Sequence, residues 1–410
     1  SWDTTLAESV GEAMGAEAVA FGVDFLLGPG MNLHRNPMAG RNFEYYSEDP
    51  LLSGRMGAAA VRGIQSNGVG ATIKHFVANN QETNRFVIDT LVGERALREL
   101  YLRGFGIAIE EGEPWSVMTA YNKLNGTHTS QSRDLLVDIL RGDLGFDGLI
   151  MSDWAAGDDI VEQIRAGNNL VMPGSAPQDE ALRNAYQEGR LTEATIDENA
   201  AWILGAVERV KLAAKPAPDN QPPLEQNAAL ARRIAAESTI LLKNESGALP
   251  LLPSIETIAL FGTGSYATVS GGTGSGDVNE AYTIHVADGL SEQGWTLDET
   301  LASTYHTFIE DFEANKPEPK NLLEQFLLHA RPGEMMIGED AVAAAVEAND
   351  AAIITISRNS GEFTDRKVEG DFDLTAEEIA LLTTVSETFR AKGKPVIVVL
   401  NIGNVIETAS

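Results

Sequence analysis

The sequence has no cysteine among its 410 residues, which excludes disulfides and thiolate metal sites and leaves histidine and carboxylates as the available metal ligands. Histidine is also scarce, six in all and without HExxH-like spacing, so no metal site is expected. Positive charge is short as well: 30 Lys and Arg stand against 60 Asp and Glu, a formal net charge of −30. A surface of that sign repels polyanions, which makes nucleic acid and anionic membranes poor partners. Beyond that, acidity speaks of solubility and not of fold. No apolar run approaches the roughly 20 residues of a membrane span. The chain opens on "SWDTTLAESVGEAMGAEAVAFG", which reads as the start of an amphipathic helix, so localisation is not legible from it.

What is present is apolar patterning, 43% of the residues, enough for two cores, because a single core stops growing at roughly 250–300 residues. Over the first 190 residues one pattern repeats, a short apolar run ending in polar residues and followed by a helical stretch. The runs are Val23–Leu27, Gly70–Ile73, Trp115–Thr119, Leu149–Ser152 and Asn169–Met172. Helical stretches follow at Leu52–Gln65, Gly93–Glu111, Asp134–Leu144, Asp158–Ala166 and Asp179–Glu188. The runs end in Gly28-Pro29-Gly30, Lys74-His75, Tyr121-Asn122, Asp153-Trp154 and Pro173-Gly174. Chemistry at the carboxyl ends of successive parallel strands predicts a (β/α)8 barrel over 1–210, whereas a doubly wound sheet would concentrate its ligand at one switch point. Five runs against about eight strands, with a start inside a helix, suggest that the N-terminal part of the barrel is missing.

A Pro-rich linker over 211–224, with "KLAAKPAPDNQPP" at Lys211–Pro223, precedes a second α/β domain over 225–410. A helix is expected at Gln226–Glu237. Buried parallel strands are expected at Ile240–Leu242, Ile258–Phe261, Ala351–Ile356 and Val396–Leu400, where β-branched residues cluster. The acidic stretch from about Ser303 to Gly338 reads as an insertion or lid.

The sharpest local signal is "GFDGLIMSDW", which delivers Asp153 to the end of an apolar strand with Trp154 beside it. Sugars stack their CH faces on aromatic rings, and Trp154 suits such a subsite; a strand-end Asp serves equally well as a helix cap. Lys74 and His75, with Arg85 in the same loop and Arg41 on the preceding one, form a set of donors able to grip hydroxyls and hold a carboxylate ionised. Salt bridges stitching the loops together would use the same residues. Glu44 and Glu48 lie beside Arg41, where ion pairing is the expected role; His34 and Arg35 have no assigned role. Tyr121 could place its hydroxyl on the carboxylate or on a loop carbonyl. In the second domain "ALFGTGSYATVSGGTGSGDV" has neither GxGxxG–helix nor Walker spacing, which leaves a dinucleotide-dependent oxidoreductase a poor reading. A flexible loop offering the hydroxyls of Ser270, Thr273 and Ser275 fits better. Glu362, in "RNSGEFTDRKVEGDFDL", is flanked by Arg358 and Arg366, which by itself describes a salt-bridge network.

Five motifs in order, "GRNFEYYSEDP", "KHFVANNQETNR", "VMTAYNKLNG", "GFDGLIMSDW" and "GGTGSGDV", make nearly the whole chain resemble glycoside hydrolase family 3 of the two-domain, β-glucosidase type. The resemblance implies a barrel followed by an α/β sandwich with a mostly parallel sheet, no cofactor, and an exo-acting retaining β-glycosidase. Asp153 would be the nucleophile and Glu362 the acid/base. Arg41, Lys74, His75 and Arg85 would hold the sugar hydroxyls, Tyr121 would orient Asp153, and Trp154 would flank the leaving group. Ser270 or Ser275 would reach the same pocket, and domain packing would set the carboxyl separation. Substrates implied are small β-glycosides and cello-oligosaccharides. The family's β-N-acetylhexosaminidase branch carries "KHFPGHG" where this chain reads "KHFVANN", which disfavours that branch; a β-xylosidase or a non-catalytic sugar binder are the other readings. The family's upstream "DG-P-G" segment and the sequence completing its second domain have no match here. Further fragments of the same gene product, or a homodimer partner, are the expected source of those parts.

Overall fold

The structure is a computed structural model describing residues 2–278, 280–320, 324 and 330–408. It divides into two compact units, one of Ser1–Asn36 with Tyr45–Ile240, the other of Pro37–Glu44 with Leu241–Ser410. These bounds differ from the sequence-based domains at two places. The linker and the following helix, Leu224–Ser238, belong to the first unit. The backbone N–H groups of Asp219 and Asn220 donate to Ala20 O at 3.2 and 2.9 Å, and Asn227 Nδ2 donates to Glu17. The segment 37–44 belongs to the second unit, held there by Arg366 N–H on Met38 O (2.8 Å) and Gly40 N–H on Asp365 Oδ1 (3.1 Å).

In the first unit, strands Phe25–Leu26, Gly70–Phe76, Ser116–Thr119 and Leu149–Met151 form a parallel sheet in that order. Asn169–Met172, expected as a fifth strand, contributes a single parallel bridge from Leu170 to Met151. Ile73, Val117 and Ile150 point to one face of the sheet and are fully buried, against Val61 and Ile64 of helix Pro50–Gln65, Phe105 and Ala108 of helix Leu102–Gly112, and Leu136 and Leu140 of helix Asp134–Asp143. The longer strands are buried nearly throughout their length, and the helical periodicity of their partners completes that core. Its consequence is that Lys74-His75 stand near the carboxyl end of their strand and Tyr121 and Asp153 just beyond the carboxyl ends of the neighbouring two.

In the second unit the strands run parallel in the order Val396–Ile402, Ala351–Arg358, Thr257–Phe261 and Thr296–Leu297. Alternate side chains divide between two faces. Phe261, Ile354 and Ile356 pack with Val342, Leu381, Val385 and Phe389; Ile258, Leu260 and Ile353 pack with Tyr305 and Leu290. Helices on both faces of a parallel sheet make an α/β sandwich. Two expectations fail here. Ile240–Leu242 is no strand, and its residues are 72, 62 and 74% exposed; the sheet edge beside Thr257–Phe261 is taken by Thr296–Leu297. The stretch read as a lid begins as helix Glu299–Asn315, which buries Leu301 and Tyr305 in the core. Within the same stretch, 321–323 and 325–329 lie outside the described residues.

Glu334 gives this unit a pH dependence. Burial pushes its carboxyl up to about 7, although Thr263 N–H and Oγ–H and Met335 N–H donate to it. Between the ordinary carboxyl value and 7 the native state binds more protons than the unfolded chain, so stability falls as pH rises through that window. The full effect is about 1–3 kcal/mol. Thermal unfolding from pH 5 to 8 should show Tm falling in the wild type and a flatter profile for Glu334→Gln; parallel profiles would refute the assignment.

Candidate active site

Asp153 follows strand Leu149–Met151 and is 8% exposed. Its Oδ1 accepts the backbone N–H of Trp154 at 2.7 Å, and its Oδ2 lies 3.5 Å from His75 Nε2. On the other side of the ring, His75 Nδ1 lies 3.2 Å from the Tyr45 hydroxyl and 3.3 Å from Asn32 Oδ1. Asn32 fixes the same residue by its main chain: His75 N–H donates to Oδ1 (2.8 Å) and Nδ2 donates to His75 O (2.9 Å). The imidazole is thereby held in place from three sides while the carboxylate it faces is buried.

Arg85, buried, donates from Nη1 to Glu82 Oε2 at 2.6 Å, and its guanidinium lies 4.2 Å from the Tyr121 ring centroid. Phe86 closes edge-on against Tyr121 at 4.6 Å. Contact with an aromatic face and pairing with a carboxylate together hold the guanidinium in place. The Tyr121 carbonyl meets His128 Nδ1 at 3.1 Å. Lys74 is half-buried, and Trp154 is 59% exposed, leaving its ring available for stacking.

Glu362 is placed in the second unit by the glycine-rich loop. Thr273 N–H donates to Ser360 O (3.1 Å), Glu362 N–H donates to Thr273 O (3.2 Å), and Ser275 N–H donates to Glu362 Oε2 (2.9 Å). The approach is so close that a Cβ on Gly274, at φ +79°, would lie 2.4 Å from Glu362 Cβ, and one on Gly361 would lie 2.0 Å from Thr273 Oγ1. The glycines therefore let two loops pair by their backbones. Arg41 Nη1 lies 3.6 Å from Glu362 Oε1, Arg41 Nη2 donates to Ser275 Oγ at 3.4 Å, and Arg41 Nε pairs with Glu44. Phe43 lies against Gly272 and Gly276. The two arginines near Glu362 in sequence turn elsewhere: Arg358 pairs with Glu378 through both Nη atoms (2.5 and 2.7 Å), and Arg366 with Asp371 (2.8 Å).

Of the donors expected together, Lys74, His75 and Arg85 belong to the first unit and Arg41 to the second. Ser275 reaches Glu362 through its backbone and not its hydroxyl; Ser270 donates to Glu280, a bond that holds that carboxyl below its usual range. Thr273 likewise serves through its main chain. Asn32, Tyr45 and Glu82 are the positioning residues that motif reading passed over; only Glu82, three residues before Arg85, left a signal in the sequence. Among the described residues no group of three or more His and carboxylate side chains is arranged for a metal ion, and no helix is long and apolar enough to cross a membrane.

The glycosyl hydrolase family 3 N-terminal domain model matches residues 1–206, and the family's C-terminal domain model matches 239–410. The chain belongs to glycosyl hydrolase family 3. Its architecture is that of the family, an α/β barrel followed by an α/β sandwich. Beta-glucosidase 3B from Thermotoga neapolitana, solved in complex with glucose, is 49% identical and superposes with a TM-score of 0.92 over 99% of this chain and 57% of that one. Beta-glucosidase B from Emericella nidulans is 41% identical over 317 residues, 75% of this chain and 37% of the relative. An exo-alpha-(1->6)-L-arabinopyranosidase from Bifidobacterium longum is 34% identical over 417 residues, 100% of this chain and 51% of the relative. The family 3 chain thus spans between 37 and 51% of the length of these two curated relatives.

Proposed function

We propose that the protein is a retaining, exo-acting β-glycosidase of the β-glucosidase type, releasing a terminal non-reducing glucose from small β-glycosides or cello-oligosaccharides. The observation that carries this reading is Asp153 itself, a buried carboxylate at the end of a parallel strand, oriented by a backbone N–H and a fixed imidazole. In this reading Asp153 attacks the anomeric carbon and forms a glycosyl-enzyme. Glu362 gives its proton to the departing oxygen and then takes one from the incoming water. Retaining glycosidases in general carry out this double displacement with two carboxyls about 5–5.5 Å apart. Lys74, His75, Arg85 and Arg41 bind sugar hydroxyls, Tyr121 orients the nucleophile, and the exposed Trp154 ring flanks the leaving group. The beta-glucosidase relatives support glucose as the sugar.

Incubation with a 2-deoxy-2-fluoro-β-glucoside traps the glycosyl-enzyme, and mass spectrometry of the digested protein should place the sugar on Asp153. A label on another residue would end this assignment; binding of glucose with neither label nor hydrolysis would favour a non-catalytic sugar binder. The arabinopyranosidase relative matches the full chain, which supports a second reading for the sugar. The ratio of kcat/KM for p-nitrophenyl β-D-glucoside and p-nitrophenyl α-L-arabinopyranoside decides between them.

A further inference from the structure

The Glu362 carboxyl is held by a backbone N–H from a segment that is itself rich in glycine, Gly271, Gly272, Gly274 and Gly276. Such a segment has little stiffness of its own, so its geometry depends on its anchors. One such anchor is a side chain on the far strand of the sheet. Asn401 stands in strand Val396–Ile402, in register with Ser357 of Ala351–Arg358. Its Oδ1 accepts Val269 N–H at 2.7 Å and Ser357 Oγ–H at 3.0 Å, and its Nδ2 donates to Val269 O at 3.0 Å. The amide meets both backbone groups of Val269 as a neighbouring strand would, and four residues later the same chain begins its pairing with 360–362.

We infer that Asn401 is a positioning residue for Glu362: by fixing Val269 it sets the register of the glycine-rich loop and, through Ser275 N–H, the direction in which the Glu362 carboxyl points. The inference rests on the reading of Glu362 as acid/base. Proton transfer needs the donor within about 2.6–3.2 Å of the leaving oxygen, and a misplacement of about 1 Å costs on the order of 10²-fold. Loss of the clamp thus weakens the step in which a proton moves and spares the step in which none is needed.

The test is the leaving-group dependence of the full chain carrying Asn401→Ala. Turnover of cellobiose, whose leaving sugar must be protonated, should fall roughly 10–100-fold. Sugar transfer from 2,4-dinitrophenyl β-glucoside, whose phenolate departs unaided, should stay within about threefold in the pre-steady-state burst. Asn401→Asp keeps the acceptor for Val269 and Ser357 and removes the donor; it should show the same selectivity, smaller in size, and stands in should the alanine variant not fold. An equal loss on both substrates would mean that Asn401 serves folding alone and would overturn the inference, as would no loss on either. Glu362→Gln runs beside them. If that variant lacks the selectivity, the acid/base reading fails and takes the inference with it; if it shows the selectivity and Asn401→Ala does not, the inference fails alone.

Discussion

Asp153→Asn should lower kcat for an aryl β-glucoside by roughly 10⁴-fold or more, as loss of a covalent nucleophile does, while the protein remains folded. Asparagine keeps an oxygen for the Trp154 N–H and nearly the volume of the carboxyl group, so binding and local packing survive. What it lacks is the electron pair that attacks the anomeric carbon. Stability should hold or rise, because a carboxylate at 8% exposure carries a desolvation cost that the neutral amide avoids. A thermal melt beside the kinetics separates the two effects: activity gone with Tm unchanged or raised marks a residue kept for chemistry. With Asp153→Gly, azide can enter the space of the carboxylate and attack from that face, giving the α-glucosyl azide, which NMR identifies. Residual activity within tenfold of wild type would remove Asp153 from the role.

Where a side chain's place depends on what a strand delivers, it was legible. Lys74, His75, Tyr121 and Asp153 each follow an apolar run, and the burial of Ile73, Val117 and Ile150 is written in those runs. What stayed hidden is non-local. Asn32 and Tyr45 lie 43 and 30 residues from His75, and no spacing rule connects them. Arg41 reads as a donor on the loop before the next strand, yet its segment belongs to the other unit. Arg358 and Arg366, near Glu362 in sequence, are bound to Glu378 and Asp371, and the cation beside Glu362 comes from more than 300 residues away. The glycine-rich loop misleads in a different way: its Ser and Thr suggest hydroxyl chemistry, whereas Thr273 and Ser275 reach Glu362 with backbone groups that every residue type possesses. Ile240–Leu242 shows the limit of composition, since three apolar residues in a row form no strand and stay exposed.

Glu362 offers the sharper test of mechanism, because its removal should affect the two chemical steps differently. In Glu362→Ala, hydrolysis of cellobiose should fall by roughly 10²–10⁴-fold, the usual range for a positioned general acid. A 2,4-dinitrophenyl glucoside should still load Asp153 quickly, since its phenolate needs no proton. The second step then stalls, for water has lost its base, and the glycosyl-enzyme accumulates; kcat and KM should fall together, with a burst of one dinitrophenolate per protein. Azide needs no deprotonation, so it should restore turnover and yield the β-glucosyl azide. Fold should survive, because Arg41 keeps Glu44 as its partner when Glu362 is gone. The opposite anomers expected from the two azide experiments, α with Asp153→Gly and β with Glu362→Ala, assign the two carboxyls to opposite faces of the sugar without any appeal to distance. If both variants gave the same anomer, one of the two roles would have to be reassigned to another residue.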